Sequence, residues 1–255
     1  MGFVEDILKI VTFLPDHRQT LMFSATMPEK IRVLAKKLLK SPEEISLAVS
    51  KPAEGVTQQA FLVYDTQKNK LMSHLLKDSP YKSVIVFAST KQKVKELEKD
   101  LRKLHFKVSA IHSDLNQGER EEALRKFRNK HIQILVATDI LSRGIDIESI
   151  DLVVNFDVPH DPEDYIHRIG RTARAESKGM AITLINDFKQ YKFANIEKMI
   201  GYEIDKMPLP NFLGEGPKYQ PEVKVKDSNK FAKRKPFKRK QFNPNSNHSK
   251  KSSKP

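Results

Sequence analysis

Apolar residues recur along this chain with two distinct periods. In Ser83–Ser89 and Ile132–Thr138 they form nearly unbroken runs, the pattern of strands covered on both faces. In Lys91–His105 the apolar positions Val94, Leu97, Leu101 and Leu104 fall in line at helical spacing. The same reading predicts strands at Thr57–Tyr64, Val108–His112, Leu152–Val158 and Met180–Ile185. It predicts a helix after Asn116, an N-cap with Glu119 three residues on, carrying Ala123, Leu124 and Phe127. A last helix lies near Lys189–Ile200. Strands alternating with helices argue an α/β fold, a parallel sheet joined by right-handed crossovers. Ligands of such sheets bind at the carboxyl ends of the strands.

The first 50 residues follow a different plan. Val4–Leu14 is apolar at helical spacing, Gln19–Thr26 reads as a short strand, and Glu44–Val49 as another. Between them Pro28 opens a helix whose stripe is Ile31, Leu34, Ala35, Leu38 and Leu39. Two helices and two strands are too few to enclose a core. Residues 1–50 are therefore expected to be the end of a domain whose beginning is absent. Residues 51–56 read as a linker, 57–208 as the main domain, and 209–255 as a basic disordered tail without periodicity.

Charge sharpens this division. Of the net +14, the segment from Pro217 to Pro255 carries +11, with 13 Lys and Arg against Glu222 and Asp227. A nearly balanced body with a basic tail points to a polyanion partner, most simply nucleic acid. In Lys230–Phe242 the cations interleave with Phe231, Phe237 and Phe242, which suits phosphate neutralisation together with stacking on unpaired bases. The absence of cysteine excludes disulfides and thiolate metal sites, and no metal site is expected. With no apolar run of membrane-spanning length and no signal-peptide pattern, the expectation is a soluble, cytoplasmic protein.

Candidate chemistry gathers at two strand ends and on two helices. Tyr165–Arg174 reads as a helix with an apolar stripe at Ile166, Ile169 and Ala173. His167, Arg171 and Arg174 fall at i, i+4 and i+7 on another side, with Gly170 between the faces. Two guanidiniums with no acid on their face suit phosphate or carboxylate oxygens. Val84-Ile85-Val86-Phe87-Ala88-Ser89-Thr90 reads as a buried strand ending in two hydroxyls just before a helix, which fits an anion site or an ordinary cap. The segment from Ala137 to Asp146 brings Thr138, Asp139, Arg143, Gly144 and Asp146 off one strand end, a density that favours a binding role. Gln117 and Arg120 open the intervening helix.

Taken together, Phe23-Ser24-Ala25-Thr26-Met27-Pro28, the strand ending at Thr90, Gln117 with Arg120, Ala137–Asp146 and His167–Arg174 resemble the later motifs of DEAD-box RNA helicases in order and spacing. The likeness runs from residue 1 to about 200 and looks nearest to the bacterial RhlE-like branch. It implies RecA-like domains, with ATP and single-stranded RNA held across the cleft between two of them. By resemblance, Arg171 and Arg174 match arginine fingers that approach the γ-phosphate. His167 matches the link from that helix to Ser24-Ala25-Thr26, so Ser24, Thr26, Gln117 and Arg120 are expected to couple or brace the motifs rather than touch ligand. Asp146 matches the carboxylate facing the nucleotide ribose, with Gly144 beside it. Thr90, Thr138 and Arg143 match positions along the RNA backbone, implying sequence-independent binding of single strands or short duplexes. Ala173 and Ser113 stand where the family commonly has glycine.

The sequence holds no G-x-x-x-x-G-K-[ST] and no Asp-Glu-Ala-Asp. The resemblance therefore implies that ATP with Mg2+ is bound mainly by another domain, the N-terminal one of the family. The chain alone is expected to be inactive, and to act in unwinding or ribonucleoprotein remodelling only as part of a full helicase. The alternative is a standalone RNA-binding RecA-like module without ATPase activity.

Overall fold

The computed structural model describes residues 3–24, 27, 29–45, 55–77, 79–139, 150–173 and 178–222. At the N-terminus, α1 (Phe3–Val11) and α2 (Glu29–Leu38) form where apolar spacing predicts helices. The strand expected at Gln19–Thr26 is not seen: the described residues 19–24 carry no ladder, and Leu21 and Phe23 are 67% and 91% exposed. An apolar run becomes a strand only when a neighbour accepts its backbone hydrogen bonds. Of the strand expected at Glu44–Val49, Glu44 and Ile45 are not in a strand and the remainder lies outside the described residues.

From β1 (Val56–Leu62) onward the predicted alternation holds. The elements are α3 (Asp65–Leu76), β2 (Val84–Phe87), α4 (Lys91–Lys103), β3 (Val108–Ile111), α5 (Gln117–Arg128), β4 (Ile134–Ala137), β5 (Leu152–Asn155), α6 (Pro162–Ile169), β6 (Gly179–Ile185), α7 (Gln190–Ile200) and β7 (Asp205–Met207). The seven strands among the described residues are all parallel, in the order β3-β4-β2-β5-β6-β1-β7. This is the open sheet of RecA-like domains. Two elements escaped the sequence reading. The apolar positions of α3 crowd into its second half, and its inner face includes a buried lysine, Lys68. β7 is three residues long, too short to display a period, and exists because β1 offers it an edge.

Pleating sends alternate side chains to opposite faces, and each face finds its helices. Val84 and Val86 pack with Leu71, Met72 and Leu76 of α3 and with Val94, Leu97 and Leu101 of α4. Ile85 and Phe87 face the other way, onto Ala123 and Phe127 of α5. Further along that sheet, Ala60, Ala181 and Ile185 pack on Tyr165 and Ile169 of α6 and on Phe193, Ile196 and Ile200 of α7. Asn116 caps α5 as predicted: its Oδ1 accepts from the Glu119 amide at 2.9 Å, and the Glu119 carboxylate accepts from the Asn116 amide at 2.8 Å.

Pro208–Glu222, aperiodic in sequence, lies on this domain. Gln67 donates to the Leu213 carbonyl at 2.8 Å, and Gln190 to the Lys218 carbonyl at 2.8 Å. The Tyr219 hydroxyl donates to Glu197 at 2.6 Å. Gly216 sits so close to the carboxyl end of β1 that a Cβ there would collide with the Leu62 carbonyl oxygen. Of the segment 209–255 expected as a tail, residues 209–222 are thus the described part, and 223–255 lie outside the described residues.

Candidate functional site

The chemistry collects along the carboxyl edge of the sheet. β2 ends at Phe87, after which Ala88, Ser89 and Thr90 lead the chain into α4. Thr90 is extended (φ −138°, ψ 151°), and its hydroxyl oxygen accepts from the Lys93 amide at 3.2 Å. Accepting leaves the Thr90 proton free for an outside acceptor. Ser89 is committed inward, its hydroxyl and amide donating to one oxygen of Asp157 at 2.8 and 2.9 Å. Thr138, half-buried, directly follows β4, and Asp139 follows it.

Two residues that sequence reasoning did not single out hold these ends together. Arg168 of α6 is 1% exposed and stacks over Phe87 at 5.2 Å. Its Nε and Nη2 reach the two Asp139 oxygens at 2.6 and 2.8 Å, while Nη1 donates to Asn155 Oδ1 at 3.0 Å and to the Asp157 carbonyl at 2.9 Å. Asp157, just past β5, accepts Lys93 at 2.8 Å and Lys68 at 3.2 Å on its other oxygen. Lys68 also pairs with Asp65 at 2.9 Å, and Asn186 donates to both Asp65 oxygens at 3.0 Å. Burial alone would raise the Asp157 pKa. The ammoniums of Lys68 and Lys93 and the Ser89 amide more than offset it and hold the carboxyl well below the usual range. Asp65 is lowered by the same balance, burial opposed chiefly by Lys68. A charged residue within an apolar helix face, as at Arg168 and Lys68, was the available sign of this network.

The basic helix face expected at 165–174 needs correction. α6 stops at Ile169, with Gly170 as its cap. The Gly170 amide still bonds Ile166, but Arg171 and Thr172 donate to residues three back, Arg168 and Ile169. Thr172 then leaves the helix axis to form a parallel bridge with Ile150, its hydroxyl donating to the Ile150 carbonyl. Ala173 takes the left-handed φ of 53°. Gly179 makes room for this turn, since a Cβ there would collide with Thr172 Oγ1. Arg171 thus lies in a turn, half-buried, its Nε donating to the His167 carbonyl at 3.3 Å. The bridge to Ile150 outweighs the helical period.

The other expected residues fall as follows. His167 is on α6, half-buried, and its Nδ1 is buried with no hydrogen-bond partner among the described residues. Arg143, Gly144, Asp146, Arg174 and Thr26 lie outside the described residues, and Ser24 is exposed. Gln117 is exposed and donates to Glu121 at 2.7 Å, while Arg120 reaches back to the Ser113 carbonyl at 3.3 Å. Both brace their own loop and helix. Among the described residues no group of acids or histidines is arranged to hold a metal ion, and no helix is long and apolar enough to cross a membrane. For a nucleoside triphosphate, Arg171 has the right chemistry toward phosphate oxygens; the described residues supply no carboxylate set for its magnesium.

Residues 67–176 match the helicase conserved C-terminal domain. The DEAD-box ATP-dependent RNA helicase CshA of Bacillus cereus is 40% identical over 211 residues, 82% of this chain and 40% of its own length. Dbp5 of Saccharomyces cerevisiae, solved bound to RNA and ADP BeF3, superposes with a TM-score of 0.74 at 30% identity, over 82% of this chain and 56% of that one. The Escherichia coli DEAD-box protein SrmB, solved bound to a regulator of ribonuclease activity, is 32% identical with a TM-score of 0.58. That alignment takes in 64% of this chain and 96% of the SrmB chain. The chain spans less than half the length of the curated relative it matches.

Proposed function

We propose a function from one premise: this chain belongs to the DEAD-box family of RNA helicases and carries the helicase C-terminal domain. It works as the C-terminal RecA-like half of an ATP-dependent RNA helicase, facing an ATP-binding domain of the family's first kind. The observation that carries this reading is the placement of Thr90 and Thr138 just past the carboxyl ends of the neighbouring parallel strands β2 and β4, with Arg168 of α6 bonded to Asp139 beside them. Its placement in the RhlE-like branch rests on motif spacing alone.

Each residue has a physical part. The free Thr90 proton and the Thr138 hydroxyl bind RNA phosphates, joined by Arg143, and these contacts ignore base identity. Bound ATP with Mg2+ supplies a γ-phosphoryl group for transfer to water. Arg171 and Arg174 place positive charge against its equatorial oxygens, with Asp146 and Gly144 toward the ribose. His167, whose Nδ1 has no partner among the described residues, couples α6 to Ser24 and Thr26. Gln117 and Arg120 keep the intervening loop rigid. The basic segment 217–255 tethers RNA without choosing sequence.

The test is binding of this chain to three unrelated single-stranded RNA decamers, of which one is oligouridine. Dissociation constants within about threefold of one another are expected, each weakened by salt. No binding at low salt, or a strong preference for one sequence, would overturn the reading.

A further inference from the structure

Asp157 joins elements whose proposed roles differ. Its side chain holds the turn at the head of α4, through both donors of Ser89 and through Lys93. Its carbonyl holds α6, through Arg168 Nη1 at 2.9 Å. Arg168 carries the connection on to Asp139 at the end of β4 and to Asn155 at the end of β5. The carboxylate has four donors in fixed directions, and the guanidinium makes four bonds from its planar fork. Stability alone is a weak reason for such a cluster, since well-packed apolar groups serve as well or better than buried ion pairs. Directional bonds add something apolar packing does not, a fixed relative position of the groups they join.

We infer that Asp157 and Arg168 are positioning residues, a bracket that makes the Ser89–Thr90 turn and α6 shift as one body. Occupancy of the edge at Thr90 and Thr138 thereby sets where His167 and Arg171 stand. This second step rests on the RNA reading above; the bracket itself does not. Asp157 touches neither proposed ligand and acts through Ser89 on one side and Arg168 on the other. Its position, 7% exposed beneath the edge, is that of a joint and not of a contact.

Native-state hydrogen exchange on the full 255-residue chain tests both steps. Without RNA, Asp157→Asn is expected to speed exchange at least tenfold at the Ser89, Lys93 and Val94 amides, and also at Gly170, Arg171 and Thr172. The amides of Ile134 and Phe193, on other elements, are expected to stay within twofold. Acceleration confined to one side, or spread evenly over all these amides, would overturn the bracket. Ser89→Ala gives a milder reading should Asp157→Asn fail to fold, because it removes one hydroxyl bond and leaves both lysines paired. It is expected to accelerate both groups about threefold, and no change at Gly170–Thr172 would overturn the bracket. With saturating oligouridine, the wild type is expected to gain protection at Gly170–Thr172. In Asp157→Asn that gain should vanish while protection at Lys93 and Val94 persists; an undiminished gain would overturn the coupling. Oligouridine that protects none of these amides in the wild type would overturn the RNA reading instead, and the RNA-free comparison then decides the bracket by itself.

Discussion

Arg168 and Asp139 meet as fork and carboxylate, two parallel hydrogen bonds of 2.6 and 2.8 Å between α6 and the end of β4. Arg168 is 1% exposed, whereas the Asp139 side chain keeps 37% of its surface open to solvent. The pair therefore closes a buried cation from outside. It also explains why a helix with an apolar stripe carries a charge on its inner face.

Removing the Asp139 carboxylate leaves that guanidinium only neutral acceptors. Asp139→Ala is expected to destabilise the domain by about 3–5 kcal/mol, the usual cost of stranding a buried charge. Arg168→Lys keeps the charge and loses the fork, so it should also destabilise, by about 1.5–3 kcal/mol. Urea midpoints at neutral pH measure both. A wild-type midpoint for Asp139→Ala would show that the pair holds nothing in place.

The Asp157 carboxyl ionises more readily in the fold than in the unfolded chain, where its ordinary value is 3.8. A depressed folded pKa contributes stability that is present above 3.8 and is lost as pH falls toward the folded value. Asp65 acts in the same direction. Wild type should therefore lose stability steadily below about pH 4. Asp157→Asn should be the less stable protein at pH 6, with the difference narrowing by pH 3. A constant difference in urea midpoint across that range would show that the carboxylate charge is not what stabilises the site.

Arg171 and Arg174 are proposed to act on phosphoryl oxygens. The isolated chain should hydrolyse no ATP with or without RNA. In a protein that unites it with an ATP-binding RecA-like domain, Arg171→Ala or Arg174→Ala should lower kcat by about 10²–10⁴, leaving nucleotide-free RNA binding unchanged. Steady-state ATPase assays check this. Wild-type turnover in either mutant would remove that arginine from the assignment.

The basic segment is proposed to tether RNA. Tyr219 and Gln220 are bonded to Glu197 and Gln190 of α7, so a truncation that spares the domain ends at Glu222, not at Gly216. That truncation should weaken RNA binding by a similar factor for unrelated sequences. It should also flatten the slope of log affinity against log salt, by roughly 0.7 for each phosphate the tail had neutralised. Identical affinities and salt slopes with and without residues 223–255 would exclude the tether.

Residues 3–24 and 29–45 expose Phe3, Phe13, Leu21 and Phe23 and have a single buried position, Leu34. Their amides should exchange orders of magnitude faster than those of β2, because little buried apolar surface resists local opening. Protection equal to that of β2 would mean that the segment packs elsewhere in solution.

The sequence by itself determined the layered α/β plan. Unbroken runs such as Val84–Phe87 can only be central strands, and the Asn116–Glu119 capping box fixes where α5 starts. Both signals are local, and burial on two faces or a cap within one turn leaves its mark in neighbouring residues. The order and chemistry of the strand-end motifs likewise resolved the family without any coordinates. What only the tertiary structure decided involves partners distant in the chain. Gln19–Ser24 has strand composition but pairs with no strand among the described residues. The helical period through Arg174 gave way at Gly170 because Thr172 bonds Ile150, 22 residues earlier. Lys68 and Asp157 are 89 residues apart, and Arg168 and Asp139 are 29 apart. No periodicity records such pairs; a charge survives inside the domain only where folding delivers its counter-charge, and that delivery is a property of the whole sheet.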